Sequence, residues 1–247
     1  MKLISKLLLC CLGFAFLSLP SRVHSPIFHQ VDFLFKPPSE TGKNLKLWAT
    51  WYWTPSYHSE KSGGVSLRDS SEKPLGVSLK EEDFCHAAVQ GSVSIDGQIY
   101  NYDTQGKVAL ADCSKYRTDM PHAPYVRFKK SNSKYGEGEN DFALVPYRSI
   151  AIDPKFMRIG TLLYIPEARG NPIRTPEGKF LFHDGYFFAA DTGFGVYGNH
   201  IDVFNGVSKI NPFEWVASTK TRTIQALVVT DKSLFSQFKN LHALNAE

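Results

Sequence analysis

Three aspartates in the second half of the chain could carry acid chemistry. Asp153, Asp191 and Asp202 each follow an apolar residue at the end of a short β-prone run. A carboxyl group at the rim of a hydrophobic core is partly desolvated, which raises its pKa, and neighbouring acids raise one another's pKa. A carboxyl group that stays protonated near neutral pH can give a proton to a leaving oxygen. The three acids together therefore indicate acid catalysis, which cleavage of a glycosidic bond requires, although any one of them alone is typical of a turn.

The elements that must position these acids are short strands. Apolar, β-prone runs alternate with Gly, Pro and Asp-Gly turns, which is typical of a small barrel or sandwich. The expected strands are Leu45–Trp53, Phe142–Pro146, Ser149–Ile152, Thr161–Ile165, Tyr186–Ala190, Ile201–Phe204 and Ile224–Thr230.

Helical signals are few. Ser78 and Glu81 have the spacing of a capping box, which predicts a helix over residues 79–90 after a polar surface loop at 58–77. Asp96-Gly97 between β-prone residues predicts a hairpin, and residues 103–141 are read as rich in loops. Apolar spacing at residues 234–241 predicts a short C-terminal helix.

The first 25 residues have the pattern of a secretory signal peptide. Lys2 and Lys6 precede the apolar run Leu7–Leu19, and small and polar residues follow. The run is short for a membrane span, which needs roughly 20 residues. We therefore expect export to the periplasm or cell envelope, or secretion, with no stable membrane insertion after the signal is removed; an uncleaved N-terminal anchor is the alternative.

Composition and charge limit the classes of protein. The chain has 247 residues, 43% of them hydrophobic, and a formal net charge of +4. This is ordinary globular usage. Three cations and no acid lie within residues 1–25, so the charge gives no basic face for a nucleic acid. Cys85 and Cys113 are an even pair in an exported chain, which predicts a disulfide rather than a thiol nucleophile at Cys85.

Four segments in order carry a family resemblance. The chain resembles the 3D domain, named for three aspartates, of MltA-type lytic transglycosylases and of stationary-phase survival and resuscitation-linked muralytic proteins. Trp51–Pro55 is similar to the Tyr-Thr-Pro-like strand near the start of these domains. The four segments are Ile150–Pro154, Ile159–Ile165, Ala190–Gly193 and Gly198–Phe204.

The resemblance implies a fold and a division of the chain. The fold is mainly β, a six-stranded double-psi β-barrel with a short helix-containing insertion and a short C-terminal helix. The implied boundaries are residues 1–25 for the signal peptide, 26–44 for an N-terminal arm, 45–232 for the barrel domain with an insertion at about 58–141, and 233–247 for the C-terminal helix and tail.

The resemblance also implies an activity on peptidoglycan glycan strands. Lytic transglycosylases cleave the β-1,4 bond between N-acetylmuramic acid and N-acetylglucosamine and close a 1,6-anhydro ring. Asp202 would be the general acid and base, Asp191 would orient the site, and Asp153 would complete the catalytic set. Residues expected to contact the glycan are Trp51, Tyr52, Thr54, Thr192, Gly193, Tyr197 and His200, although His200 is equally consistent with a wall residue.

One loop departs from the family pattern. The family usually reads Asp-Thr-Gly-Gly-Ala-Ile-Lys-Gly, whereas this chain has Phe194 for the second Gly and Tyr197 for the Lys. The missing cation bears on contact with anionic stem peptides. It also keeps open a non-catalytic glycan-binding or wall-loosening role, because fold alone does not fix function.

Other classes have weaker support. Asp191-Thr192-Gly193 is the local pattern of aspartic proteases, but the chain has no second such motif to supply the partner carboxylate. Hydrolysis by paired carboxylates is a further alternative. The chain has no phosphate loop, no Gly-x-Ser-x-Gly elbow and no His-Glu-x-x-His motif. No metal or organic cofactor is implied, because the neighbours His183 and Asp184 belong to no ordered set of ligands.

Overall fold

The computed structural model describes residues 33–244. The predicted signal peptide and residues 26–32 of the predicted arm lie outside the described residues. Fourteen strands and two α-helices follow one another in the described part: β1 Thr41–Tyr52, β2 Ser56–Tyr57, β3 Val65–Arg68, β4 Pro74–Leu79, α1 Glu81–Gln90, β5 Ser92–Ile95, β6 Gln98–Gln105, β7 Val126–Ser131, β8 Ser149–Ile152, β9 Leu162–Tyr164, β10 Pro172–Arg174, β11 Phe180–Phe182, β12 Tyr186–Asp191, β13 His200–Phe204, β14 Ile224–Val229 and α2 Lys232–Leu241.

Six strands close into a barrel in the order β1-β13-β8-β12-β9-β14, and β14 pairs with β1. The β1–β13 and β12–β8 pairs are parallel, whereas the other four are antiparallel. The mainly β prediction with two helices is therefore confirmed. The double-psi path of the chain stays a prediction.

Alternate residues of the barrel strands share one apolar core. Ile150 and Ile152 of β8 and Ile201 and Val203 of β13 are buried in one core. Since successive side chains of a strand point to opposite faces, the residues between them face away from this core. Ala151 and Asp202 are such residues, so the acid lies on the outer face of the barrel.

The residues between β1 and β8 form a second hydrophobic core. Strands β2, β5, β6 and β7 form one sheet there, and β3 and β4 form a hairpin. Helix α1 buries Phe84 and Cys85 against this sheet, in a cluster that also holds Phe128. Cys85 and Cys113 form a disulfide, as predicted. We call residues 58–141 the insertion.

Several local predictions in the insertion are wrong. Helix α1 begins at Glu81 with Lys80 as its N-cap, so Ser78 does not cap it. Ser78 is extended in β4, and its carbonyl accepts a hydrogen bond from the Glu60 N–H. The predicted loop at 58–77 contains most of the β3–β4 hairpin. Leu67 of β3 is fully buried in the same cluster as Phe84. The predicted loop-rich stretch contains β7. The Asp96-Gly97 hairpin is confirmed by the β5–β6 pairing.

Strand boundaries elsewhere shift by a few residues, and one strand is wrong. β1 runs from Thr41 rather than from Leu45. Phe142–Pro146 is no strand, because its residues make only two isolated bridges, Glu137 with Ala143 and Phe142 with Ala243. The hairpin of β10 and β11 lacks a sequence prediction. Helix α2 confirms the C-terminal helix, and the Asp231 side chain caps it by accepting the Ser233 and Leu234 N–H groups.

A buried ion pair holds the chain before β1 to the barrel. The Arg148 guanidinium donates to both carboxylate oxygens of Asp184, and both side chains are almost fully buried. Burial alone would raise the pKa of Asp184, but the hydrogen bonds and charge of Arg148 outweigh it and lower the pKa. Phe33 lies 4.0 Å from the guanidinium, and the Phe35 N–H donates to Asp184.

No helix among residues 33–244 is long and apolar enough to cross a membrane.

The buried pair is expected to be essential to stability. Asp184→Asn leaves the Arg148 charge buried without its partner, so the free energy of unfolding should fall by about 3–5 kcal/mol. The matched control is Asp119→Asn, which breaks the exposed pair with Arg117 and should cost no more than about 1 kcal/mol. Denaturant unfolding measures both variants. Equal losses in the two variants would show that the buried pair has no special role.

Candidate active site

The site begins as a cross-strand ladder on the outer face of the barrel. The parallel register of β1 and β13 places three residues of each strand opposite one another: Trp48 with His200, Thr50 with Asp202 and Tyr52 with Phe204. The Trp48 and His200 rings stack with centroids 3.6 Å apart and planes 6° apart. Since these positions alternate with core positions, all six side chains share one face.

Asp191 and Asp202 pair with the same residue, Ala151, of the strand between them. Ala151 of β8 pairs with Asp202 of β13 on one side and with Asp191 of β12 on the other. The register of β12 shifts between Ala189 and Asp191, at the end of the strand. The two acids therefore lie two strand spacings apart, about 10 Å between their backbones, and the side chain between them on β8 is only the methyl group of Ala151. The sequence-predicted pair is therefore brought together.

The bonds of Asp191 fix its carboxyl group. The hydroxyl of buried Tyr52 donates to Oδ2 over 2.8 Å, and the Thr192 N–H donates to Oδ1 over 2.8 Å. The Thr192 hydroxyl in turn donates to Glu139 Oε1 over 2.7 Å, which brings a third carboxylate to this end of the site. Gly138 makes this approach possible, because a Cβ there would collide with the Ala190 carbonyl oxygen.

Burial raises the pKa of both acids. It raises the pKa of Asp191 to about 7, against the hydrogen bonds from Tyr52 and Thr192, and the charge of Glu139 adds to the rise. It also raises the pKa of Asp202 to about 7, with a further rise from the charge of Asp191 and an opposing effect of Thr50. Carboxyl groups with pKa values near neutral pH can both give and take protons.

Asp153 has a different environment. Its carboxylate accepts hydrogen bonds from the N–H groups of Gly198, at 2.7 Å, and Lys155, at 2.9 Å. These bonds, that of Gly198 first, lower its pKa. No hydrogen bond within residues 33–244 links it to Asp191 or Asp202. The structure thus places Asp153 as an ionised anchor of the loop that joins the other two acids.

The loop from Thr192 to Asn199 is also held by the insertion. The ring of Phe194 lies 4.2 Å from the ring of His122 and 5.4 Å from that of Tyr102. Val196 is buried in a cluster with Tyr52. The departure from glycine at position 194 therefore gives the loop an aromatic contact with the insertion.

The other predicted glycan contacts differ in their exposure. Tyr197 is 69% exposed and is available to a ligand; Gly193 is also exposed. Trp51 packs against the barrel core, and its indole N–H donates to the Lys209 carbonyl. Thr54 is buried, and its hydroxyl donates to the Tyr135 carbonyl. Thr54 thus supports the site from within the protein.

Sequence reasoning missed three residues of the site. Thr50 and Trp48 lie two and four positions before Tyr52, so the alternation of a strand was a signal that could have found them. Glu139 lies in an irregular segment with no such signal. His183 and Asp184, weighed as metal ligands, are buried and bonded to Tyr147 and Arg148. Within residues 33–244, no group of three or more His, Cys, Asp and Glu side chains could hold a metal ion.

Comparison with protein families gives one match. Residues 148–221 match the family described as the 3D domain. This segment of the chain is similar to the 3D domain. The matched segment begins at Arg148, just before β8, and contains Asp153, Asp191 and Asp202. No curated protein sequence matches the chain significantly.

Solved structures similar to this chain include lytic transglycosylases. The structure of MltA from E. coli with bound chitohexaose is 17% identical, with a TM-score of 0.49, over 74% of this chain and 71% of that chain. A membrane-bound lytic murein transglycosylase from Agrobacterium tumefaciens is 13% identical, with a TM-score of 0.47, over 78% and 76%. MltA from Neisseria gonorrhoeae is 12% identical, with a TM-score of 0.46, over 76% and 74%.

The raised and lowered pKa values predict opposite effects on stability. A carboxyl group with a raised folded-state pKa costs stability as pH rises from its unfolded value, near 4, to its folded value. Asp202→Asn should therefore raise the free energy of unfolding at pH 8 by roughly 1–3 kcal/mol and change it little at pH 4.

Asp153→Asn is the matched control, and denaturant unfolding at the two pH values compares the variants. The lowered pKa of Asp153 contributes stability above its unfolded pKa, and this is lost as pH falls. The substitution should thus destabilise the protein at pH 8. A loss of stability in Asp202→Asn at pH 8 would contradict the burial of an unfavourable charge.

Proposed function

We propose that this protein is a peptidoglycan lytic transglycosylase with Asp202 as its general acid and base. The observation that carries the proposal is the pair of partly buried carboxyl groups on the two sides of Ala151, with pKa values of about 7, within a segment that matches the 3D domain. The resemblance of the motifs around these acids to the lytic transglycosylases supports the substrate, a glycan strand of N-acetylmuramic acid and N-acetylglucosamine.

The first step is acid-catalysed cleavage. Asp202 gives its proton to the bridging oxygen of the leaving N-acetylglucosamine, and the bond from that oxygen to C1 of N-acetylmuramic acid breaks. The sugar ring gains oxocarbenium character, and Asp202 is left as a carboxylate. Burial raises the pKa of Asp202 to about 7 and so favours this step, and the charge of Asp191 adds to the rise.

The second step closes the ring without water. The Asp202 carboxylate takes the proton of the C6 hydroxyl, and O6 forms a bond to C1, which yields the 1,6-anhydro product. Asp202 is then protonated again, so the proton balance closes over one turnover. One carboxyl group serves both steps, and the paired-carboxylate separation of a hydrolase is not needed.

The direct test uses purified protein and peptidoglycan sacculi. Mass spectrometry of the released material should show anhydro-muropeptides, with no heavy oxygen incorporated from labelled water. Asp202→Asn removes the transferable proton and should slow release by about 10²–10⁴-fold. The control Asp96→Asn alters an exposed carboxylate bonded to His58 and should leave the rate unchanged.

Three other results would each reject the proposal. Heavy oxygen in the product would identify a hydrolase. Binding to sacculi without release would identify the non-catalytic glycan-binding or wall-loosening role, which the altered loop around Phe194 keeps as the second candidate. Undiminished release by Asp202→Asn would remove Asp202 from the chemistry.

A further inference from the structure

A chain of three hydrogen bonds runs from Asp202 into the protein. Asp202 Oδ1 is 2.7 Å from Thr50 Oγ1, which is 2.8 Å from His200 Nε2. His200 Nδ1 is 3.1 Å from the carbonyl oxygen of Gly195. Four polar groups are thus joined by three contacts, and each contact needs one hydrogen.

The hydrogens can be assigned from the chemistry of the groups. A backbone carbonyl only accepts, so Nδ1 of His200 must carry the hydrogen of its contact with Gly195. Nε2 of a neutral imidazole is then an acceptor, and it takes the single hydrogen of the Thr50 hydroxyl. Thr50 has no second hydrogen to donate, so the remaining contact needs a hydrogen from Asp202.

The surroundings favour the neutral imidazole. His200 is buried beneath Trp48, and burial, together with the charge of Lys220, lowers its pKa to about 4, against the bond to Gly195. The other titratable groups that face the chain lie on the Asp202 side: Asp191, the Tyr52 hydroxyl bonded to it, and Glu139, whose charge acts on Asp191. None of these three gives the imidazole a direct carboxylate partner.

We propose that the Gly195 carbonyl fixes His200 as the Nδ1–H tautomer, so that Thr50 donates to His200 and Asp202 completes the chain only as the neutral acid. Thr50 and His200 are then positioning residues for Asp202. This inference rests on the proposed function for its catalytic meaning, but the hydrogen-bond assignment can be tested without a substrate.

The assignment reverses the usual effect of a hydroxyl group on an acid. A threonine that donates to a carboxylate stabilises the ionised form. In the proposed assignment the hydrogen of Thr50 goes to His200, so the ionised form of Asp202 lacks the stabilisation by which a donating Thr50 would lower its pKa. Loss of the proton leaves the chain one hydrogen short, and its return from the C6 hydroxyl in the second step restores all three bonds.

The first measurement needs no variant. Nitrogen-15 NMR of labelled histidine near pH 6, above the pKa of His200, should show Nδ1 protonated and Nε2 unprotonated. Signal assignment comes from the spectrum of His200→Phe. An Nε2–H tautomer or a doubly protonated ring overturns the proposal.

The second measurement is the direction in which the pKa of Asp202 changes when Thr50 or His200 is replaced. Infrared titration of the protonated carboxyl band, with Asp202→Asn as the reference, follows Asp202 directly. Thr50→Val removes the acceptor of the acid form, and His200→Phe keeps the stacked ring and frees the Thr50 hydrogen for the carboxylate. Each should lower the pKa of Asp202 by about one unit.

The control variant for the titration keeps the hydroxyl group at position 50. Thr50→Ser keeps the hydroxyl and should leave the titration unchanged. If Thr50 instead donates to ionised Asp202, Thr50→Val raises the pKa of Asp202 and His200→Phe leaves it nearly unchanged; a rise, or no shift, contradicts the proposal. If His200→Phe does not fold, Thr50→Val and the NMR experiment still decide. Loss of cleavage with the expected tautomer intact would reject the proposed function and not the hydrogen-bond assignment.

Discussion

Two partly buried acids, whose negative charges would repel each other, lie on the two strands that flank Ala151. Ala151 lies opposite Asp202 on one neighbouring strand and opposite Asp191 on the other, on the face of the barrel that points away from its core. Burial and proximity disfavour two negative charges here, so the pair retains protons near neutral pH. The account of catalysis depends on this constraint, because a fully ionised pair could not protonate a leaving oxygen.

The remaining parts of the structure keep this pair in place. The closed barrel fixes the strand register, and Tyr52 of β1 donates to Asp191 of β12 across the two strands that lie between them. The loop between the acids is held by Asp153 at one end and by Glu139 at the other, while Phe194 contacts the insertion. Backbone N–H groups lower the pKa of Asp153, which stays ionised and holds the loop. Burial raises the pKa of Asp191 and Asp202, which retain protons near neutral pH.

Much of this arrangement could be predicted from the sequence. Short apolar runs between turn residues identified the strands that carry Asp191 and Asp202, and the Asp96-Gly97 turn identified its hairpin, because both signals are local. The capping-box prediction at Ser78 is wrong because Ser78 pairs with β3 as part of strand β4. Alternation with Tyr52 could have placed Thr50 on the face of the site, but its bond to Asp202, about 150 positions away, depends on the parallel β1–β13 register. Glu139 reaches Thr192, about 50 positions away, through the close approach at Gly138, and local patterns do not reveal such long-range pairing. The exposure of Tyr197 and burial of Thr54 likewise depend on packing across the barrel.

The most direct test of the central claim is a titration of the two carboxyl groups in the wild-type protein. Carbon-13 NMR of labelled aspartate follows each side-chain carboxyl, and the variants Asp191→Asn and Asp202→Asn assign the two signals. The account predicts that both signals change with midpoints near pH 7, displaced far above the other aspartates. Midpoints near the ordinary value of about 4 for both groups would contradict it.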